Sequence, residues 1–202
     1  DSLTAQPLAN ADATSVPFWS PDSRYIGFFA GGKLKKVEAS GGPPQTLCDA
    51  QNGLGGSWSR DGVILFMGMG LPLSHVPAGG GEAKLAQSLD ASRPDRRRLP
   101  SFLPDGRHYL YTTPGSTQSE GGGIYFGALD SKDATRLLGD LSNAAYAAAA
   151  SGAGYLLFWR GGSLMAQPFD PGKLRLSGAP FPVAEQVGFS ATNFRASFSV
   201  SE

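Results

Sequence analysis

An aromatic residue, a tight-turn sequence and a dense apolar run recur together four times in this chain, and the spacing of the copies constrains the fold more than any other feature. The first copy is the clearest: PFWSPDSRYIGFFAGGKLKKVEASGGPPQTL, residues 17–47. GSWSRDG (56–62) precedes VILFM (63–67), and PSFLPDGR (100–107) precedes HYLY (108–111). AYA (145–147) precedes YLLFW (155–159) after a Ser-Gly-Ala-Gly break. Trp19, Trp58, Phe102 and Tyr146 are thus 39, 44 and 44 residues apart.

Each copy divides into four strands. Strand A ends at the aromatic, an Asp-Gly or Asp-Ser turn closes a hairpin, and strand B is the run rich in β-branched and aromatic side chains. Strand C alternates, as in KLKKV (33–37) and SLMA (163–166), and strand D is short and outermost: QTL (45–47), KL (84–85), TRLL (135–138) and PVA (182–184). Four strands repeating every 40 to 45 residues belong to propeller blades. The expected fold is therefore all-β, a β-propeller of four-stranded antiparallel blades at 17–47, 56–87, 100–138 and 144–187. Residues 3–8 read as the outer strand of a preceding blade and 197–201 as strand A of a following one, so that the chain is expected to be part of a larger propeller cut from a longer protein.

The alanine-rich stretch 143–151 has the highest helix propensity in the chain. It nevertheless falls where the fourth copy needs strand A and its turn, and repeat position outweighs a few tenths of a kcal/mol per residue, so strand is expected.

Composition agrees with one folded β domain. A chain of 202 residues buries roughly 70% of the surface that its unfolded form exposes, enough for a core without metals or disulfides. Its 28 glycines and 15 prolines cluster between apolar runs and mark turns. Lys plus Arg and Asp plus Glu are 17 each, so no basic field gathers nucleic acid. No stretch approaches the roughly 20 apolar residues of a membrane span, and this segment is not expected to contact a membrane itself.

Motifs that suggest chemistry have simpler explanations. Gly27 to Lys33 has phosphate-loop spacing, but Leu34 stands where Ser or Thr would hold magnesium, and Phe28 and Phe29 are too bulky to wrap phosphate. Gly31 and Gly32 are expected to form the B-to-C turn with positive φ. Asp22, Asp61 and Asp105 supply one carboxylate per copy, too few for calcium, and are read as turn residues that accept backbone N–H bonds. A metal site would have to draw on His75, His108 and Cys48, whose spacing gives no ligand set. No Gly-x-Ser-x-Gly elbow is present. No catalytic residue, cofactor or metal is expected.

The candidate binding residues are Arg93, Asp95, Arg96, Arg97, Arg98, Gly122 and Arg160. Arginine forks bind carboxylate and phosphate bidentately, and the run from Arg93 to Arg98 lies in a D-to-A connection. In a propeller such connections share one rim with the B-to-C loops, which places that run beside Gly31, Gly32, 68–70, 116–123, Gly161 and Gly162. The expected partner is a protein or small ligand on this loop rim.

The strings FWSPDSRYIGF (18–28) and FLPDGRHYL (102–110) resemble the TolB-like propeller repeat. GKLKKV (32–37), GGPPQTL (41–47), LMAQPFD (164–170) and PVAEQV (182–187) look like the C-terminal propeller of membrane-anchored bacterial serine/threonine protein kinases of the acidobacterial type. The resemblance covers nearly the whole chain. It implies a non-catalytic, extracytoplasmic or periplasmic sensory module that binds a ligand or protein; none of the kinase motifs themselves is present. The alternatives are an accessory substrate-gating propeller of a prolyl-oligopeptidase-type serine peptidase and a periplasmic TolB-like scaffold. Two departures stand out: Arg60 replaces the turn proline in the second copy, and the fourth lacks Pro-Asp-Gly, for which an altered A-to-B turn is expected.

Overall fold

The computed structural model describes residues 15–86, 97–114, 121–129, 131–149 and 154–200. Every regular element among them is a strand. The first sheet comprises β1 (Phe18–Trp19), β2 (Tyr25–Ala30), β3 (Lys33–Glu38) and β4 (Gln45–Asp49); the second comprises β5 (Gly53–Trp58), β6 (Val63–Gly68), β7 (Leu71–Pro77) and β8 (Lys84–Leu85). The third contains β9 (Arg98–Phe102), β10 (His108–Thr113), β11 (Gly123–Ala128) and β12 (Ala134–Leu138). The fourth contains β13 (Ala144–Ala148), β14 (Gly154–Arg160) and β15 (Ser163–Asp170), edged by β16 (Arg175–Leu176) and β17 (Phe181–Ala184), both paired with β15. A two-strand ribbon, β18 (Phe189–Ser190) and β19 (Arg195–Ala196), follows. All pairings are antiparallel, and all but that of β15 with β17 join neighbours in sequence. The alanine-rich segment is strand β13, as its repeat position requires.

Successive sheets pack face to face, and their apolar runs are read on both faces. In β6, Ile64 and Phe66 join a buried cluster with Phe29, Leu34 and Leu47 of the first sheet. The alternate residues Leu65 and Met67 join Tyr109 and Tyr111 of the third. Leu110 and Ile124 turn in the other direction and meet Leu156, Phe158 and Phe169 of the fourth. Side chains alternate across a strand, so a run apolar at every position fits only a sheet covered on both sides. Glycines make room for the rings: Phe18 lies over Gly27 and Gly56, Phe29 over Gly53, and Tyr146 over Gly154, each where a Cβ would stand.

The outer strands pair irregularly. Register shifts fall between β3 and β4, β11 and β12, and β15 and β17, and also in the inner pairs β5–β6, β6–β7 and β9–β10. A bulge in an outer pair raises the local twist and bends the outer edge away from flat pairing.

The turns behave largely as read. Gly31 and Gly32 have φ of 60° and 72° and join β2 to β3; Gly161 and Gly162, at 57° and 94°, repeat the device between β14 and β15. The A-to-B turns of the first three sheets share one hydrogen bond: Ser23 donates to the Ser20 carbonyl (2.9 Å), Gly62 to Ser59 (3.1 Å) and Gly106 to Leu103 (3.0 Å). Positive φ at these positions is 57°, 73° and 67°, but the turn that carries Arg60 closes one residue sooner: Ser59 donates to the Val63 carbonyl, where Ser20 donates to that of Tyr25 and Leu103 to that of His108. Asp22 accepts from the Arg24 amide, and Asp105 from those of Arg107 and His108, as expected. Asp61 differs: its turn lacks the residue that Arg24 and Arg107 occupy, and its carboxylate lies against Gly106 of the next sheet, while Ser59 Oγ accepts the Val63 amide as Ser20 Oγ accepts that of Tyr25. The A-to-B turn of the fourth sheet and residues 3–8 lie outside the described residues.

Residues 197–200 form no strand, contrary to expectation; the pairing occurs two residues earlier, in β19. Asn143 is the cause, because its Oδ1 accepts the Ala196 amide (2.7 Å) while its own amide donates to the Phe194 carbonyl (3.0 Å). Trp159 stacks on Phe189 with centroids 4.0 Å apart and closes the outward face of the fourth sheet.

Gly53→Ala drives a methyl into the Phe29 ring, itself 1% exposed; a loss of about 1–3 kcal/mol is expected in urea unfolding. Gly55→Ala, which meets open space, should stay within about 0.5 kcal/mol. Burial alone would raise the Asp105 carboxyl, but the hydrogen bonds from the His108 side chain (2.5 Å) and the turn amides outweigh it and hold it below 3.8. A depressed carboxylate stabilises the fold above the unfolded value, and the contribution disappears as pH falls through 3.8 to the lower folded value. Asp105→Asn should therefore lower stability at neutral pH and flatten the acid limb of the melting-temperature profile.

Candidate functional site

The B-to-C loops and D-to-A connections converge on one rim, where the sequence places its candidate residues. Arg93, Asp95 and Arg96 lie outside the described residues. Arg97 holds its guanidinium 6.0 Å from the Tyr111 ring centroid, and Arg98 begins β9 opposite Thr112. Tyr111 stacks on Tyr125 (5.6 Å, 18°), whose hydroxyl donates to the Gly121 carbonyl at 2.5 Å. The third sheet thereby connects the arginine run to the glycines that precede β11.

Gly122 is occupied from within. Its carbonyl accepts both Nε (3.1 Å) and Nη2 (2.6 Å) of Arg136 on β12, and a Cβ here would meet the Pro114 carbonyl and Leu141. Arg160 is also committed: Nε and Nη2 each bond a different oxygen of Asp140 at 2.8 Å, and its guanidinium lies 5.1 Å from the Phe158 ring. The hydrogen bonds to Asp140 push the Arg160 pKa up against the opposing effect of burial. Arg97, Gly122 and Arg160 thus share a rim held together by Tyr125, Arg136, Asp140 and Leu141. At Gly122 and Arg160, the arginine forks fix loops to the sheets. The sequence reading missed Arg136, although an arginine on an edge strand after a glycine triplet is a signal it could have used.

The remaining reactive groups are separate. Burial, reinforced by Asp49, pushes the Cys48 thiol up to about 11, which suppresses thiolate at neutral pH. Burial lowers the His75 pKa, and nearby Lys84 lowers it further, favouring the neutral ring. Among the described residues no three His, Cys, Asp or Glu side chains gather as a metal site would need, and no helix is long and apolar enough to cross a membrane.

No protein-family model matches the chain, nor does any curated protein. Solved β-propellers match its fold. TolB from Acinetobacter baumannii is 19% identical with a TM-score of 0.54, the match covering 88% of this chain and 44% of that one. Regucalcin, a calcium-binding protein from Agrobacterium tumefaciens, is 18% identical at a TM-score of 0.54 over 88% of this chain and 60% of its own. An ancestral GH74 enzyme is 12% identical at 0.56 over 85% and 27%. The fold is a β-propeller, shared by binding proteins and enzymes alike, and the chain spans between about a quarter and three fifths of these structures.

The Arg160–Asp140 pair predicts a measurable coupling. A double-mutant cycle of Arg160→Met and Asp140→Asn should give about 0.5–1 kcal/mol at low salt, shrinking in 1 M NaCl. Absence of coupling would show that the fork does not hold the fourth sheet's turn.

Proposed function

We propose that this chain is a non-catalytic binding module, the extracytoplasmic propeller of a bacterial membrane-anchored serine/threonine kinase, and that its loop rim receives an acidic protein partner. The observation that carries the reading is the rim itself: Arg136 ties Gly122 to β12 and Arg160 ties the fourth sheet to the connection before it. Loops anchored on a rigid frame hold several weak contacts in fixed relation, which lowers the ordering cost of binding. The kinase assignment rests on the resemblance of GKLKKV, LMAQPFD and PVAEQV to the propellers of such kinases. In that architecture the ring is a portion of a larger one, outside the membrane, and contributes recognition while another domain performs phosphoryl transfer. The likeness in fold to TolB supports a second reading, a periplasmic TolB-like scaffold that binds a partner through the same rim.

Two measurements test this. Replacing Arg96, Arg97 and Arg98 together by serine should weaken binding of an acidic polypeptide such as poly-glutamate more than about tenfold, with reduced salt dependence; unchanged affinity returns the run to a solvated loop. The complete reading frame around these residues should encode a kinase domain and a membrane span. A Gly-x-Ser-x-Gly hydrolase domain there would overturn the kinase assignment.

A further inference from the structure

The opposite rim, formed by A-to-B turns and C-to-D connections, carries an unabsorbed feature between the first two sheets. A cleft of about 630 Å³ is lined by Ser20, Pro21, Asp22, Tyr25, Lys36 and Trp58, with Arg60, Gly62 and Ala78 at its second-sheet side. A smaller hollow of about 360 Å³, reaching Glu38 and Gly41, shares Tyr25 and Lys36 with it. Volumes of this order suit a small ligand.

Its lining departs from the repeat. Lys36 pairs with Gly27 on β2; the corresponding positions, opposite Leu65, Leu110 and Leu157, carry His75, Phe126 and Ala166. Among the described residues, only the first sheet places a lysine at this position. Tyr25 and Trp58 stack at 6.2 Å and 29°, and the Lys36 ammonium lies 5.0 Å from the first ring centroid and 6.0 Å from the second. It donates to the Ala78 carbonyl at 2.7 Å. An ammonium has three donors, and among the described residues no carboxylate pairs with this one. Half-buried charge without a counter-ion is costly, and local departures of this kind mark binding sites.

Asp22 supplies the other half of the chemistry. Its carboxylate accepts Ser20 Oγ (2.6 Å) and the Arg24 amide (3.1 Å), leaving acceptor capacity at the cleft wall. A ligand that satisfies both walls needs an anionic group for Lys36, a flat apolar face for the Tyr25–Trp58 pair, and hydroxyl donors for Asp22. We propose that this cleft binds a hexuronate unit of an acidic glycan: carboxylate on Lys36, the C–H face of the pyranose on the aromatic pair, and ring hydroxyls on Asp22. The site is independent of the loop rim, so either can fail without the other.

Titration with sodium glucuronate, followed through the indole N–H signals of the three tryptophans, tests the proposal, with the Trp58 signal assigned by its loss in Trp58→Phe. The Trp58 signal should move with a millimolar dissociation constant while that of Trp159, packed on Phe189, stays in place. Lys36→Met should weaken the interaction about tenfold or more, a loss of about 1.4 kcal/mol, whereas Lys36→Arg should retain it. Asp22→Asn should weaken glucuronate but not benzoate, which offers no hydroxyl. No shift of Trp58 at saturating glucuronate, an equal response to glucose, or unchanged affinity in Lys36→Met would overturn the site. Benzoate binding as tightly as glucuronate would overturn the glycan assignment. If Lys36→Met fails to fold, the Asp22→Asn and Lys36→Arg comparisons decide.

Discussion

Burial of each sheet on both faces is the constraint on which the rest of this structure depends. A strand such as β6, whose Ile64, Leu65 and Phe66 are 0%, 0% and 3% exposed, can exist only between two neighbours. Each neighbour then needs a neighbour of its own. The ring-over-glycine packings follow from this requirement, because sheets approach closely where Phe18 and Phe29 lie over backbone that carries no Cβ. The same dependence appears at the first sheet's outward side. Trp19 and Trp58 occupy one repeat position, paired with Ile26 and Ile64, but Trp58 stacks on the preceding sheet's Tyr25 while Trp19 is 58% exposed.

The two rims use this frame differently. On one, Asp22 and Asp105 close short turns through their own backbone, and the cleft beside Tyr25 and Lys36 opens between two of them. On the other, arginines reach across from strands and turns to hold connections in place. The loops of one rim are ordered by these forks, whereas the cleft presents a cation that pairs with no carboxylate among the described residues. One arrangement supplies preordered shape and the other a half-buried charge, the two features that lower the cost of binding in general.

Much of the architecture was legible because a propeller repeats its local solutions. Period, strand order, the positive-φ pair Gly31 and Gly32, and the strand in the alanine-rich segment all follow from aligning the copies. Where the solution was unique to one place, legibility ended. Asp61 looked like Asp22 and Asp105, yet its turn is one residue shorter than theirs, and its carboxylate lies against Gly106 instead. The ribbon β18–β19 depends on the Asn143 side chain about fifty residues upstream, which no local pattern reports.

The sequence by itself determined the all-β propeller, since turn residues and apolar alternation act within a few residues and recur often enough to be recognised. Only the tertiary structure decided which charges remain available. Arg160 finds Asp140 twenty residues away, and Lys36 finds the Ala78 carbonyl at a separation of 42. The partner of a flexible cation is chosen by the packing of sheets, and packing distance is not written in chain distance. Arg160, counted among the candidate binding residues, is paired with Asp140, and a lysine in an ordinary alternating strand lines a cleft.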